Sequence, residues 1–160
     1  MAKIKIDPYV KSVALNILRV ALPLIIIVLG LLPGSYLSYA PVSTDGTHYT
    51  LQVVGEHTYF DLQIMMGDEN FQGGNFAPMI TMLLAISCLV TSTVSLFVDK
   101  EILLTIALHS ASLGIIASIY SLLLQTLTWM GWAIAGVFVC QVVVLSVLMM
   151  EKEDRSRRGR

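Results

Sequence analysis

The chain has 160 residues, 56% hydrophobic and only 13% charged, with a mean hydropathy of +0.76. A soluble domain carries about 25% charged residues, so too few charges remain to cover a water-facing surface. Disorder, which requires low hydrophobicity and high charge, is excluded by the same numbers. The net charge of −1 says little, whereas the placement of the charges says a great deal.

The N-terminal stretch places Lys3, Lys5 and Lys11 among apolar residues, a pattern suited to lying along a membrane interface. The first long apolar run covers residues 13–32 and contains one charge, Arg19. That arginine is expected near the inner end of the span, with its aliphatic stem carrying the guanidinium out to the headgroups. Pro23 removes one helical hydrogen bond. Pro33-Gly34 is expected to end or bend the helix, with continuation over residues 36–40 as the alternative. Ser38-Tyr39-Ala40 has the small-x-small form of a cleavage site, but the long charged region ahead of the run reads as an uncleaved anchor.

Residues 35–77 form a loop too long for a simple connector. Tyr49, Leu51 and Val53 alternate with Thr50, Gln52 and Val54, and Phe60, Leu62 and Ile64 alternate with Tyr59, Asp61 and Gln63. This period of two predicts strands over residues 49–54 and 58–65, joined by a hairpin turn at Gly55-Glu56. The loop holds Asp45, Glu56, Asp61, Asp68 and Glu69 and contains neither Lys nor Arg. Acids without bases make an attractive potential for cations. His48 and His57 join Asp61, Asp68 and Glu69 as conceivable metal ligands. Their spacing matches no metal motif, so solvated loop charges are the simpler reading.

Three further apolar runs, residues 78–98, 102–124 and 128–150, are each long enough to cross a bilayer as a helix. Asn75 or a neighbour is expected to cap the second, with Pro78 in its first turn. Only Asp99, Lys100 and Glu101 separate the second and third runs, which must then be antiparallel neighbours. Helices in lipid approach closely through small residues. The third run offers Ser110, Gly114 and Ser118, and the fourth Gly131, Ala135 and Gly136. Such stripes serve equally for packing within the chain or against another subunit. His109 is the ionisable group of note in the third run, about 12 Å along the helix from Glu101. An intramembrane histidine is a candidate ion-path or proton-relay group. The plainer alternative is a neutral imidazole bonded to a neighbouring helix. Cys88 and Cys140 lie in separate runs without a CxxC pairing and are expected to be buried, reduced packing residues.

With the N-terminus inside and four spans, all ten Lys and Arg residues fall on the cytoplasmic side, a positive-inside pattern. Residues 151–160 then form a cytoplasmic tail, and the loop 35–77 is extracytoplasmic. Tyr36, Tyr39, Phe71, Phe76, Tyr120, Trp129 and Trp132 map to the outer interface, where amphipathic rings are favoured.

The plan of four helices, a large β-containing first outer loop and a very short inner turn resembles the claudin-like superfamily in topology. The loop has neither the Trp nor the Cys residues of that family's Trp…Gly-Leu-Trp…Cys…Cys signature. Phe71-Gln72-Gly73-Gly74, leading into the second span, is similar to the glycine-rich entry of a small subunit of multi-subunit cation/proton antiporters, whose longer glycine run and later spans are not matched. Neither resemblance is adopted as a family assignment.

The expectation is therefore an all-α membrane protein. It is a single four-helix transmembrane domain over residues 1–160, with a β-hairpin in the extracellular loop between the first and second helices. The chain shows no phosphate-binding glycine loop, nucleophile elbow, zinc-helix motif or dinucleotide fingerprint. No cofactor, catalytic residue or nucleic-acid partner is expected. The leading functional expectation is a non-enzymatic subunit that assembles with itself or with other membrane proteins through its outer loop and small-residue helix faces. The alternative is an oligomeric cation-conducting channel or transporter component, using Asp61, Asp68, Glu69 and His109 as its path.

Overall fold

A computed structural model describes residues 8–43, 49–61, 76–98, 100–124 and 128–158. In chain order the elements are α1 (Pro8–Leu31), β1 (Tyr36–Ser43), β2 (Tyr49–His57), α2 (Ala77–Phe97), α3 (Glu101–Leu124) and α4 (Trp129–Arg158). Among the described residues four helices are long and apolar enough to cross a membrane, which makes this an integral membrane protein. At 1.5 Å per residue the shortest, α2, is about 31 Å long, matching a hydrocarbon core of about 30 Å. The longest, α4, has 30 residues. It runs on into the charged tail, where Arg157 pairs with Glu153 one turn earlier at 2.6 Å.

The helices form a ring in which α1 packs on α2 and α4, and α3 packs on the same two. Lys11 on α1 and Glu151 on α4 meet at 2.6 Å, which brings the first and last helices together at one end, called here the termini end. The exterior is the apolar surface. The spans are strongly apolar, yet only about a quarter to a third of each is buried. Lipid replaces water around such a bundle, so leucines and valines need no burial, while polar groups turn inward to find partners.

Each helix presents one stripe to the interior at spacings of three and four residues. On α1 it runs Ser12, Asn16, Arg19, Pro23, Ile26 and Gly30. On α4 the buried positions Gly131, Ile134, Phe138, Gln141 and Leu145 follow the same rhythm. Both stripes change character along their length. Ile26, Met82, Ala85, Ala111, Ile134 and Phe138 fill the loop-side half, each 0% exposed. Close approach in that half depends on Gly114, whose side-chain position is taken by the Phe138 ring, and on Gly30, which faces Met82. Ser87 Oγ and Ser110 Oγ add a hydrogen bond of 3.1 Å between α2 and α3.

Helix α1 stops at Leu31, and Gly34 takes φ +76°, a conformation open to glycine without cost. Ser35 follows and fastens the chain to the bundle. Its hydroxyl donates to Gly30 O at 3.2 Å and His57 O at 3.3 Å, and its carbonyl accepts from Thr128 Oγ1 at 2.9 Å. The backbone N–H of Tyr59 also donates to Gly30 O, at 2.9 Å.

The strands differ from the sequence expectation. β2 continues straight through Gly55-Glu56, which face Ser38 and Leu37, and its antiparallel partner is the preceding segment β1. The turn expected at Gly55-Glu56 is absent because residues 36–43, of which 36–40 were the alternative helix continuation, pair with this strand along its whole length. A register irregularity lies between Ser38 and Tyr39. Pro41, which lacks an N–H, is tolerated because both members of a two-stranded pair are edge strands. Thr58 to Asp61 leave the ladder as a turn, and the rest of the expected strand over 58–65 lies outside the described residues. Helix α2 starts at a Phe76 N-cap without a side-chain hydrogen bond and with proline in its first turn. The expected Asn75 cap lies outside the described residues.

Candidate functional site

The termini-side half of the interior holds the buried polar side chains of Arg19, Ser92 and Gln141 beside Leu104 and Leu145, and it contains a cavity of about 670 Å³. All four helices line it. Ser12, Asn16 and Arg19 come from α1, Ser95 to Phe97 from α2, Leu104 from α3, and Leu148, Glu151 and Lys152 from α4.

Arg19 is the central group. Its position in the α1 stripe, seven residues after Ser12 and four before Pro23, turns it into the bundle, where it is 6% exposed. Arg19 lies on the face of α1 that it shares with Asn16 and Pro23, which is the packed face. Its Nε has no hydrogen-bond partner among the described residues. Beside it, Gln141 is fully buried. The Gln141 amide donates from Nε2 to the Arg19 carbonyl at 2.9 Å and to Cys88 Sγ at 3.4 Å, while its Oε1 accepts nothing among the described residues. One amide thus ties α4 to α1 and α2 in the middle of the bundle. Ser92 is buried, and Ser95 donates to its carbonyl at 2.7 Å.

The electrostatics of the cavity come from side chains. Two helix N-termini, of α1 and α3, and two C-termini, of α2 and α4, lie at this end, so their dipoles oppose one another. Among the described residues its charged lining side chains are Arg19, Glu151 and Lys152, and Glu151 is paired with Lys11.

The residues expected at functional positions are spread over the molecule. Ser110, Ser118, Gly131 and Ala135 are buried in helix contacts, as is Gly114. His109 points outward and is exposed, its Nδ1–H donating back to Thr105 O at 2.8 Å. It shares its face with exposed Ile102, Ile106, Leu113, Ile116 and Tyr120. Asp61 accepts from His57 Nδ1 at 2.8 Å at the loop end, far along the bundle from Arg19. Asp68 and Glu69, like His48, lie outside the described residues. No cluster of three or more metal-ligating side chains occurs among the described residues. Cys88 is buried and Cys140 is exposed. Cys140 was expected inside, but it shares the outward face of α4 with Val139 and Val143. Trp129 and Trp132 are exposed at the loop end, and Tyr9 and Phe97 at the termini end.

Gln141 is the member of the site that sequence reasoning passed over. The available signal was an amide inside an otherwise apolar run, on the same heptad stripe as Gly131, Ile134 and Phe138. Comparison with known proteins finds no matching family model, no matching curated protein and no matching solved structure.

Proposed function

We propose that this chain is a small non-enzymatic membrane subunit that assembles with itself or with other membrane proteins. The carrying observation is His109. A hydrogen-bonding side chain stands in the middle of a span on the outside of the bundle, where lipid offers it no partner. Its hydrogen bond to Thr105 uses Nδ1, leaving Nε2 for a group on a neighbouring helix. The small-residue stripes support a different role from the one first expected. Ser110, Gly114 and Ser118 are consumed in packing within the chain, so the assembly surface in this reading is the outward face of α3 around His109. The strand pair at the loop end offers a second contact region.

In this reading the termini end is cytoplasmic and the loop 35–77 extracytoplasmic. The confinement of all ten Lys and Arg residues to the spans' termini-side ends, connector and flanks supports that orientation. Cation conduction, the alternative, receives no route through one bundle. Ile26, Met82, Ile134 and Phe138 are fully enclosed across its loop-side half, so a path would have to run between copies.

Native mass spectrometry after mild-detergent extraction tests the assembly reading. The expected result is a defined oligomer or hetero-complex whose population falls in His109→Leu without loss of the folded monomer. A strictly monomeric protein with no co-purifying chain overturns it, as does a His109→Leu complex of undiminished population.

A further inference from the structure

A polar atom in the middle of a membrane bundle pairs with the protein or with bound water, because lipid supplies neither donor nor acceptor. Three such atoms pair with no group among the described residues: Arg19 Nε, Ser92 Oγ and Gln141 Oε1. They come from α1, α2 and α4, and each residue is more than nine-tenths buried. They are also neighbours. The Gln141 amide reaches from the Arg19 carbonyl to the Cys88 thiol, and Ser92, one turn along α2, sets its hydroxyl beside the same thiol. The amide is not free to turn over. The Arg19 carbonyl only accepts, so Nε2 must face it and Oε1 must find a donor elsewhere.

The chemistry of the three atoms selects the ligand. Arg19 Nε–H only donates, Gln141 Oε1 only accepts, and the Ser92 hydroxyl does both. A fully ionised anion would offer nothing to Gln141 Oε1, and a bare metal cation nothing to Arg19 Nε–H. Water donates and accepts, so it suits all three, and buried water characteristically makes about three hydrogen bonds to groups left over by the protein. Access is at hand. Arg19 lines the cavity of about 670 Å³, as does Ser95, which donates to the Ser92 carbonyl at 2.7 Å. On the other side of the cluster Ile26, Met82, Ile134 and Phe138 close the interior.

We propose that Arg19, Ser92 and Gln141 hold bound water at the inner end of the cavity, so that the bundle is hydrated from the termini end to its middle and dry beyond. Arg19 Nε–H donates to this water. The water donates in turn to Gln141 Oε1 and shares a hydrogen bond with Ser92 Oγ. Hydration of this kind is what lets a guanidinium stand inside a span without the full cost of desolvation. The site is formed within one chain, so the inference stands apart from the assembly reading and holds for a monomer.

The test is nuclear magnetic resonance on the full chain in phosphatidylcholine nanodiscs, with isotope-labelled arginine side chains and isoleucine methyl groups, reading cross-relaxation from water. Arg19→Lys identifies the Arg19 signal by removing it. The expected result is a water cross peak at Arg19 Nε–H and none at the methyl groups of Ile26 and Ile134. Gln141→Leu removes the acceptor and should lower water occupancy at Arg19 about fivefold, the equivalent of one hydrogen bond. Ser92→Ala should act in the same direction, and it carries the test if Gln141→Leu does not fold. Absence of the Arg19 cross peak in wild type overturns the proposal, as does a cross peak that neither variant diminishes. Water contact as strong at Ile26 and Ile134 as at Arg19 overturns it too, because water would then permeate the whole interior.

Discussion

Gly114 is where the bundle has least room. A Cβ built there would lie 2.5 Å from Phe138 Cζ and 2.7 Å from Cδ1, whereas carbon atoms in ordinary contact sit about 3.5–4.0 Å apart. The Phe138 side chain is 0% exposed and its ring is rigid, so Gly114→Ala must push the α3–α4 pair apart or drive the ring off its rotamer. Overpacking of this kind costs ~1–3 kcal/mol. The gain in helix propensity from glycine to alanine, ~1 kcal/mol in water, offsets part of it. The expected net loss is up to ~2 kcal/mol, a shift of up to roughly 30-fold in the folded-to-unfolded ratio.

Gly136 supplies the matched control. It lies on the outward face of α4 with nothing within 4 Å of its would-be Cβ, so Gly136→Ala is expected to be neutral or stabilising by up to ~1 kcal/mol. Reversible unfolding in mixed micelles, followed by circular dichroism, gives both values under one condition. A Gly114→Ala protein as stable as Gly136→Ala would refute the reasoning, because it would mean that the Phe138 ring does not occupy the glycine's side. The double variant Gly114→Ala/Phe138→Leu should lose less than the sum of its single changes, since the shorter side chain removes the obstacle.

The other expected outcomes concern polar contacts. A double-mutant cycle on Ser87→Ala and Ser110→Ala should return a coupling of ~0.6 kcal/mol, the usual size for a hydrogen bond between membrane helices. A value near zero would place the two hydroxyls in separate bonds. Ser35→Ala removes the hydroxyl that reaches both Gly30 and His57, so limited proteolysis should cut within residues 36–61 several-fold faster while the helices stay intact. Unchanged cleavage would show that the Thr128 and Tyr59 hydrogen bonds hold the segment alone. Lys11→Ala breaks a pair whose side chains are 51% and 28% exposed, so the loss should stay under ~1 kcal/mol and shrink with added salt. A larger, salt-insensitive loss would show that the pair is buried in the bilayer. Neutralising Asp61, Asp68 and Glu69 together should leave cation leak in proteoliposomes at background, as in wild type. A wild-type flux abolished by those changes would favour conduction over assembly alone.

The four spans were legible in the chain because a helix in lipid must be uniformly apolar over about 20 residues, a signal that survives without knowledge of its neighbours. The break at Pro33-Gly34 was legible for a local reason too, since glycine adopts the φ of +76° found there without steric cost. Rotation of each helix about its axis was not. In a bilayer both faces of a helix are apolar, so hydropathy does not mark the inner one. The stripe from Ser12 through Arg19 to Gly30 becomes an inner face only when α2 and α4 close over it. That closure sets Arg19 in the wall of a cavity, and it joins Gln141 to Arg19 across 122 positions of sequence. It also places Cys140 and His109 outside. Strand pairing behaved in the same way. Alternation identified residues 49–54 as extended, but the partner of β2 is the segment before it, a choice made by Ser35 fastening that segment against Gly30 and His57. Sequence determined what can enter the membrane and where the charges stop. Tertiary packing alone decided which polar groups face one another, because lipid leaves that choice to the other helices.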